Sequence, residues 1–235
     1  MAIFALADPH LSTLVGKPMD IFGVDWREHD RKIESAWKQT VGEGDTVILP
    51  GDISWAMALS DVVPDLRFLH ELPGKKIINK GNHDYWWGTA EKLERLVNEC
   101  GFSSLFFLKN NAVVAEDAVI CGTRGWLLPN DADFREKDRK IFDRERGRLL
   151  CSLQKGKELM SADVNRMIVS LHYPPLCHSS DETGFTRLLE DFSADICVYG
   201  HIHAGGRSKA FEGERNGVKY FLVSADHIAF TPVRI

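Results

Sequence analysis

The stretch KKIINKGNHDYWW, residues 75–87, carries the pattern that decides the fold. Two apolar residues, Ile77 and Ile78, lead through Gly81 into three adjacent polar side chains at 82–84. A short apolar run that stops at glycine is typical of a buried strand. Polar side chains directly after such a strand are costly to bury unless they find partners. Their purpose depends on how the other strands of the chain end.

Six apolar runs have the length and composition of buried strands, at 2–8, 45–52, 75–84, 165–175, 195–203 and 218–227. The spacing of apolar residues between the early runs predicts helices at 26–41, 61–72 and 86–100. Alternating strands and helices predict an α/β fold with a mostly parallel sheet. Residues 113–122 predict a β-hairpin that turns at Glu116 and Asp117, and thus a second sheet or an antiparallel edge.

The segment 131–160 is strongly charged, with an interrupted apolar stripe that predicts a long, largely exposed helix. We expect residues 1–235 to form a single domain, with this segment as a charged helical insertion.

Composition limits the classes of function. Hydrophobic residues make up 44% and charged residues 27%, as in an ordinary globular protein. The formal charge is −5 and there is no Lys/Arg block, so neither general nucleic-acid binding nor membrane binding is expected. The five scattered cysteines predict reduced thiols. The N-terminal residues lack a signal-peptide pattern, so we expect a cytoplasmic protein, and the oligomeric state is not predicted.

Nearly every predicted strand ends in side chains able to bind metal ions. These are Asp8, His10, Asp52, Asn82, His83, Asp84, His172, His201 and His203. Because ligands bind beyond the carboxyl ends of strands in α/β folds, neighbouring strands would bring these side chains to one edge. No Lys or Arg at those positions balances the carboxylates, so their burial would require cations. Imidazole and carboxylate without thiolate favour Mn, Fe, Zn, Ni or Co over Mg or Ca.

In order and completeness, the motifs resemble the five blocks of the calcineurin-like metallophosphoesterases. The blocks are D-x-H at 8–10, G-D at 51–52, G-N-H-D at 81–84, His172 and G-H-x-H at 200–203. The resemblance implies a four-layer αββα sandwich of two mixed sheets flanked by helices, with a binuclear metal centre at its edge. Together with GTRGW at 122–126 and the charged helix, the chain looks most like bacterial predicted phosphohydrolases of this superfamily, for which the resemblance supplies no substrate.

The resemblance also implies roles for individual residues. The implied ligands are Asp8, His10 and His203 for one ion, Asn82, His172 and His201 for the other, and Asp52 as the bridge between them. His83 stands where the family keeps a histidine that contacts the phosphoryl oxygen or the leaving group, and Asp84 would brace the turn. The implied reaction is hydrolysis of a small phosphodiester or phosphomonoester by a metal-bridging hydroxide, with Mn, Fe or Zn as the favoured ions.

The second block reads GDISWAM, without the arginine that the Ser/Thr protein phosphatase branch usually carries there. The third block reads GNHD rather than GNHE. Both departures argue against a protein phosphatase and favour a small phosphate ester as substrate.

Other residues have two readings each. Arg124 could bind a phosphate through paired hydrogen bonds or form a surface salt bridge. Tyr85 and Trp126, like the other tryptophans near the expected site, could contact the substrate or simply pack. His29 lies on a polar segment and is expected to be solvated.

Two further functions stay open as alternatives. One is a non-catalytic metal-binding scaffold that binds a partner through the 131–160 helix. Such relatives typically lose metal ligands or the acid histidine. In this chain the seven implied ligands and His83 are all retained. The other is a nuclease, which would want a basic groove or an added binding domain that the net charge of −5 does not suggest.

Overall fold

The computed structural model describes residues 1–235 and contains two β-sheets with five α-helices. The strands are β1 (Ile3–Ala5), β2 (Thr46–Leu49), β3 (Lys75–Ile78), β4 (Leu105–Phe107), β5 (Ala112–Ala115), β6 (Ala118–Thr123), β7 (Arg166–Leu171), β8 (Ile196–Tyr199), β9 (Gly213–Arg215), β10 (Val218–Leu222) and β11 (Val233–Arg234). The helices are α1 (His29–Thr40), α2 (Val63–Glu71), α3 (Ala90–Cys100), α4 (Glu136–Leu159) and α5 (Gly184–Asp191). None of the helices combines the length and apolarity needed to cross a bilayer.

Each sheet has a parallel centre and at least one antiparallel edge. The first has the order β11-β1-β2-β3-β4, in which β1 to β4 are parallel and β11 is antiparallel to β1. The second has the order β5-β6-β7-β8-β10-β9, in which only the outer strands β5 and β9 are antiparallel to their neighbours. The expected fold of two mixed sheets flanked by helices is thus confirmed.

The alternation of side chains along the strands sorts the apolar core into layers. In β2, Ile48 packs with residues of the second sheet, whereas Val47 and Leu49 pack with the helices that cover the first sheet. In β8, Val198 faces the first sheet and Tyr199 packs with α4 and α5. Because successive side chains of a strand point to opposite faces, every central strand is buried on both sides. The resulting order of layers is helix, sheet, sheet, helix.

All six runs predicted as strands contain one, and the predicted hairpin is formed by β5 and β6. The hairpin turns at Glu116, whose φ of 54° is left-handed. The strands that were not predicted, β4, β9 and β11, have only two or three residues each, too few for a hydrophobic period to be visible.

The predicted helices exist, with later starts. The helix predicted at 26–41 begins at His29, because residues 24–26 form a separate 3₁₀ turn. The helix predicted at 86–100 begins at Ala90, where the hydroxyl of Thr89 accepts a hydrogen bond from the backbone N–H of Lys92 at 3.3 Å. This side-chain cap satisfies one of the free N–H groups of the first turn and fixes the start of the helix.

The charged segment forms α4, which is exposed on its outer side and buried along one stripe. Phe142, Leu149 and Leu153 of this stripe pack against the second sheet and α5. At Gly156 the helix approaches β6 so closely that an added Cβ would stand 2.3 Å from Sγ of Cys121. The helix therefore covers the outer face of the second sheet, and its charged side faces away from the apolar core.

This close approach predicts opposite effects of the same substitution at two glycines of α4. We expect Gly156→Ala to lower the free energy of unfolding by about 1–2 kcal/mol, because the added methyl group overpacks the contact with β6. Gly147, which is exposed and has no neighbour within 4 Å of an added Cβ, is the matched control. Gly147→Ala should raise the free energy of unfolding by about 0.5–1 kcal/mol through helix propensity alone. Urea unfolding followed by circular dichroism measures both, and equal shifts would contradict the packing described here.

Candidate metal centre

The polar side chains predicted at the strand ends lie together at the carboxyl edge of both sheets. Asp8, Asp52, Asp84 and His172 are the most deeply buried of them. In His172, Nδ1 lies 3.5 Å from Oδ1 of Asp8, and Nε2 lies 3.5 Å from Oδ2 of Asp52. The same Nε2 is 2.7 Å from Oδ1 of Asn82. One imidazole from the second sheet thus touches both carboxylates of the first.

A second group is formed by Asp8, His10 and His203, whose ligand atoms lie within 4.8 Å of one another. Nε2 of His203 is 3.9 Å from Oδ2 of Asp8, and Nε2 of His10 is 3.8 Å from Oδ2 of Asp52. Asp8 belongs to both groups, since its carboxylate also lies within the same distance of Asp52 and His172. The predicted ligand His201 adjoins them with its ring centroid 5.0 Å from that of His172.

Four of these residues have a backbone conformation that is rare outside glycine. The φ angles are 58° at Asp8, 45° at His10, 51° at Asp52 and 71° at His201. Left-handed conformations of non-glycine residues cost on the order of 1–3 kcal/mol each and cluster where the direction of a side chain matters for function. Their concentration at one sheet edge marks this edge as the functional part of the molecule.

Two glycines let the strand-end turns approach one another. A Cβ at Gly81 would stand 2.2 Å from the backbone nitrogen of Asp52, and a Cβ at Gly200 would stand 2.5 Å from Oδ2 of Asp8. Any larger residue would push these turns apart. The glycines before Asn82 and His201 are therefore needed for the side chains to converge.

The two central carboxylates have no basic side chain other than histidine as an ion-pair partner. Burial raises the pKa of Asp8 to about 7; His203 opposes this shift and Asp52 adds to it. Burial likewise raises the pKa of Asp52. It lowers the pKa values of His10 and His172 well below the ordinary value for histidine. Without cations, burial thus shifts Asp8, Asp52, His10 and His172 towards their neutral forms.

Several buried side-chain atoms of the candidate ligands lack any hydrogen-bond partner, and this bears on whether the site suits metal ions. They include Oδ1 of Asp8, Nδ1 of His10 and Nε2 of His203. Buried polar atoms are nearly always paired, so a cluster of unpaired ones indicates a missing ligand. Oxygen and imidazole donors without thiolate are suited to ions such as Mn, Fe or Zn. The donor set fits metal ions.

Two contacts behind the site orient the imidazoles. Nδ1 of His203 lies 2.8 Å from Oδ1 of Asp226, and Nδ1 of His172 lies 3.0 Å from the carbonyl oxygen of Pro50. Each contact fixes the ring and directs Nε2 towards the carboxylates. Burial lowers the pKa of His203, but Asp226 and Asp8 outweigh that effect, so this pKa lies above its ordinary value.

Asp84 lies directly behind the candidate ligands and is fully buried. Its carboxylate accepts hydrogen bonds from the backbone N–H groups of Ile53 at 2.8 Å, Ser54 at 3.2 Å and Gly81 at 2.7 Å, and from Nε1 of Trp86 at 3.1 Å. Burial and the nearby Asp52 raise its pKa to about 7, and the N–H donors act against that shift. The side chain ties the loop after β2 to the loop after β3.

His83 is half-buried beside the ligand groups. Its backbone N–H donates to Oδ1 of Asp52 at 2.7 Å, and its ring centroid lies 4.3 Å from that of Trp55. Burial lowers the pKa of its imidazole, and Asp52 opposes the shift. The ring is held at the edge of the site by its neighbours and has no partner at Nδ1.

A cavity of about 310 Å³ opens next to these side chains. His201 and His203 line it on one side, and Trp126, Tyr173 and Ile202 are among the residues that form its apolar wall. The ring centroid of Tyr173 is 4.0 Å from that of His201 and 5.2 Å from that of Trp126. An aromatic wall thus runs from a candidate metal ligand into the cavity.

The remaining predicted substrate contacts lie elsewhere. Tyr85 is 57% exposed, with its ring centroid 6.2 Å from that of His83. Arg124 does not line the 310 Å³ cavity. Nη2 of Arg124 lies 3.4 Å from Oε1 of Glu145, and its guanidinium lies 4.3 Å from the centre of the Trp126 ring. The Arg124 side chain is 14% exposed, so it is largely buried rather than on the open surface.

Sequence reasoning missed Asp226 and was wrong about His29. Asp226 ends the apolar run at 218–227, so the rule that identified the other strand-end residues would have found it. His29, expected to be solvated, is buried, with its ring nitrogens 3.2 Å from the carbonyl oxygen of Trp26 and 3.3 Å from that of His10. The start of α1 folds over the turn after β1, a tertiary contact that the polar neighbours of His29 do not indicate.

Comparisons with known proteins give a fold and a family. The chain is 38% identical over 60 residues to the Gene 66 protein of Mycobacterium phage L5, a match that covers 26% of this chain and 28% of that protein. It is similar, at 15% identity and a TM-score of 0.49, to the crystal structure of a protein of unknown function from Aquifex aeolicus, over 99% of this chain and 95% of that one. A second crystal structure matches at 11% identity and a TM-score of 0.51, over 91% of this chain and 90% of that one, which shows a shared fold.

The family model for calcineurin-like phosphoesterases matches residues 1–205, which include every candidate metal ligand. The buried Asp and His groups described above lie within that match and could hold metal ions. Members of this family are in general metal-dependent phosphoesterases, and the family usually has a dinuclear metal centre. This chain belongs to the calcineurin-like phosphoesterases.

Proposed function

We propose that this protein hydrolyses a small phosphodiester or phosphomonoester with the help of two metal ions. The observation that carries the proposal is the pair of buried carboxylates, Asp8 and Asp52, which have imidazoles around them and no Lys or Arg as counter-ion. Removing two carboxylates from water is costly unless cations compensate them. Family membership supports phosphoester hydrolysis as the reaction class.

The proposed ligands are divided between two positions. We assign Asp8, His10 and His203 to one ion, Asn82, His172 and His201 to the other, and Asp52 to both. The closeness of His172 to Asn82 and Asp52 supports the second set, and that of His203 to Asp8 supports the first. Two bound cations would activate a water molecule for attack on phosphorus and neutralise charge on the phosphoryl oxygens. Asp226 and the Pro50 carbonyl keep the imidazoles of His203 and His172 in position.

His83 is proposed to assist the departing oxygen by donating a proton. Its backbone is anchored to Asp52, and its ring packs on Trp55, so the imidazole is fixed next to the ligand groups. Burial lowers the pKa of His83, but an anionic ester beside the ring would favour the protonated form. A positioned general acid of this kind typically contributes roughly 10²–10⁴-fold to the rate.

The cavity beside the ligands supports a substrate with an apolar or aromatic group next to its phosphate. Trp126 and Tyr173 offer ring faces and edges against which such a group can pack. A flat leaving group in this cavity would lie against the ring of Tyr173 and next to His201.

Turnover of two chromogenic esters tests the proposal. We expect the Mn²⁺-loaded protein to hydrolyse bis-p-nitrophenyl phosphate or p-nitrophenyl phosphate, and the ratio of the two rates gives the preference for diester or monoester. His83→Ala should retain the bound metal and lose about 10²–10⁴-fold in turnover. His178→Ala, at an exposed histidine outside the site, is the matched control and should leave turnover unchanged. Loss of metal in His83→Ala, or unchanged turnover, would show that the assigned role is wrong.

The raised pKa of Asp8 predicts how metal affinity depends on pH. In the metal-free protein Asp8 is protonated below about pH 7, so a metal ion that binds there must displace that proton. The affinity should therefore fall as the pH decreases from 8 to 5.5, by roughly tenfold per pH unit for each displaced proton. His203, whose pKa is raised by Asp226 and Asp8, adds to the fall. Chelator competition with Mn²⁺ measures it, and an affinity that is constant over this range would contradict the prediction.

A further inference from the structure

A second cavity, of about 270 Å³, lies at the same sheet edge and has a strongly basic lining. It is bounded by the loops after β3, β4 and β6 and by one face of α4. Its charged lining residues are Lys80, Lys109, Arg124, Arg144, Arg148 and Glu145. Five basic side chains thus face a single acidic one. The stack of Arg124 on Trp126 stands between this cavity and the one beside the candidate metal ligands.

The single carboxylate cannot neutralise the arginines around it. Glu145 is 1% exposed and accepts hydrogen bonds from Nη1 of Arg148 and Oγ1 of Thr123, both at 2.7 Å. Its Oε1 also lies 3.4 Å from Nη2 of Arg124 and 3.6 Å from Nε of Arg144. One negative charge is therefore shared among three guanidinium groups.

Several donors of the cavity lack an anionic partner. Nζ of Lys80 makes no hydrogen bond or ion pair within the chain, and Nε of Arg124 is buried without an acceptor. Nζ of Lys109 donates only to the carbonyl oxygen of Gly88, at 2.5 Å. Like charges held this close in a partly buried space repel one another unless an anion lies between them.

We propose that this cavity is an anion-binding site, separate from the candidate metal centre, for a small molecule with two or more phosphate groups. Guanidinium groups match the oxygen geometry of phosphate and can bind it with paired hydrogen bonds. An excess of basic over acidic groups calls for an anion with several charges rather than one. The apolar packing of α4 accounts for its buried stripe but not for its charged face. An anion site would give that charged face a function. It does not depend on the proposed hydrolysis.

The site is placed to influence the metal centre. Lys80 stands two residues before Asn82, and the carbonyl oxygen of Arg124 accepts a hydrogen bond from the backbone N–H of His172 at 3.1 Å. The anion could be free in solution or could be the distal phosphate of a substrate whose other phosphate lies at the metal centre. Both sources share the same chemistry, and the test below separates them.

Calorimetric titration with pyrophosphate tests the site directly. Two variants are compared with the unchanged protein: Lys80→Ala and the double variant Lys80→Ala/Arg148→Gln. We expect both to bind pyrophosphate at least about tenfold more weakly. Every protein is isolated with its bound metal. Arg146→Gln removes an exposed arginine of the same helix that pairs with Asp143, so it should bind as the unchanged protein does. Because Lys80 has no partner within the chain, its removal should not disturb folding, which thermal unfolding checks. Equal affinities in all four proteins would overturn the proposal.

Kinetics then identify the source of the anion. If it is the distal phosphate of a substrate, the double variant should raise KM for adenosine diphosphate at least about tenfold and leave KM for p-nitrophenyl phosphate unchanged. If it is a free anion, pyrophosphate should alter turnover of p-nitrophenyl phosphate in the Arg146→Gln control but not in the double variant. Either pattern supports the site. If the protein hydrolyses neither adenosine diphosphate nor the p-nitrophenyl esters, but the double variant loses pyrophosphate binding, the anion site stands and the proposed hydrolysis is wrong.

Discussion

Two carboxylates, Asp8 and Asp52, lie buried at the point where the two sheets meet, without a Lys or Arg to balance them. Burial of two such groups is unfavourable in a protein that binds no cation there. The arrangement around them responds to this one constraint. Imidazole nitrogens face the carboxylates, Asp84 ties the loop that carries Asp52 to the loop after β3, and Asp226 orients one of the rings. The arrangement of the site is therefore suited to binding cations.

The sheets bring these side chains together because the central strands are parallel. Parallel neighbours end at the same edge, so the residues that follow β1, β2 and β3 meet those that follow β7 and β8. Left-handed backbone at Asp8 and His201 then turns the side chains inwards, and glycine at 81 and 200 allows the turns to touch. The strain of these turns is offset by the apolar core between and around the sheets.

The sequence predicted what depends on local pattern and on motif order. Buried strands were predicted from apolar runs. The polar side chains that follow these runs are the residues that the structure brings together at one edge. What it did not predict depends on tertiary contact. The burial of His29 comes from the packing of α1 over the turn after β1, and β11 is too short to show a period. The basic cavity joins Lys80 to Arg148 across a long stretch of sequence, so neither residue signals it alone.

The count of metal ions per chain tests the central claim most directly. Elemental analysis of the purified protein, after loading with Mn²⁺ and dialysis, should give about two ions per chain. Asp52→Asn should bind fewer ions, whereas Asp163→Asn, at an exposed aspartate, should bind as many as the unchanged protein. Absence of bound metal under every loading condition, or an unchanged count in Asp52→Asn, would contradict the account of the buried carboxylates as metal ligands.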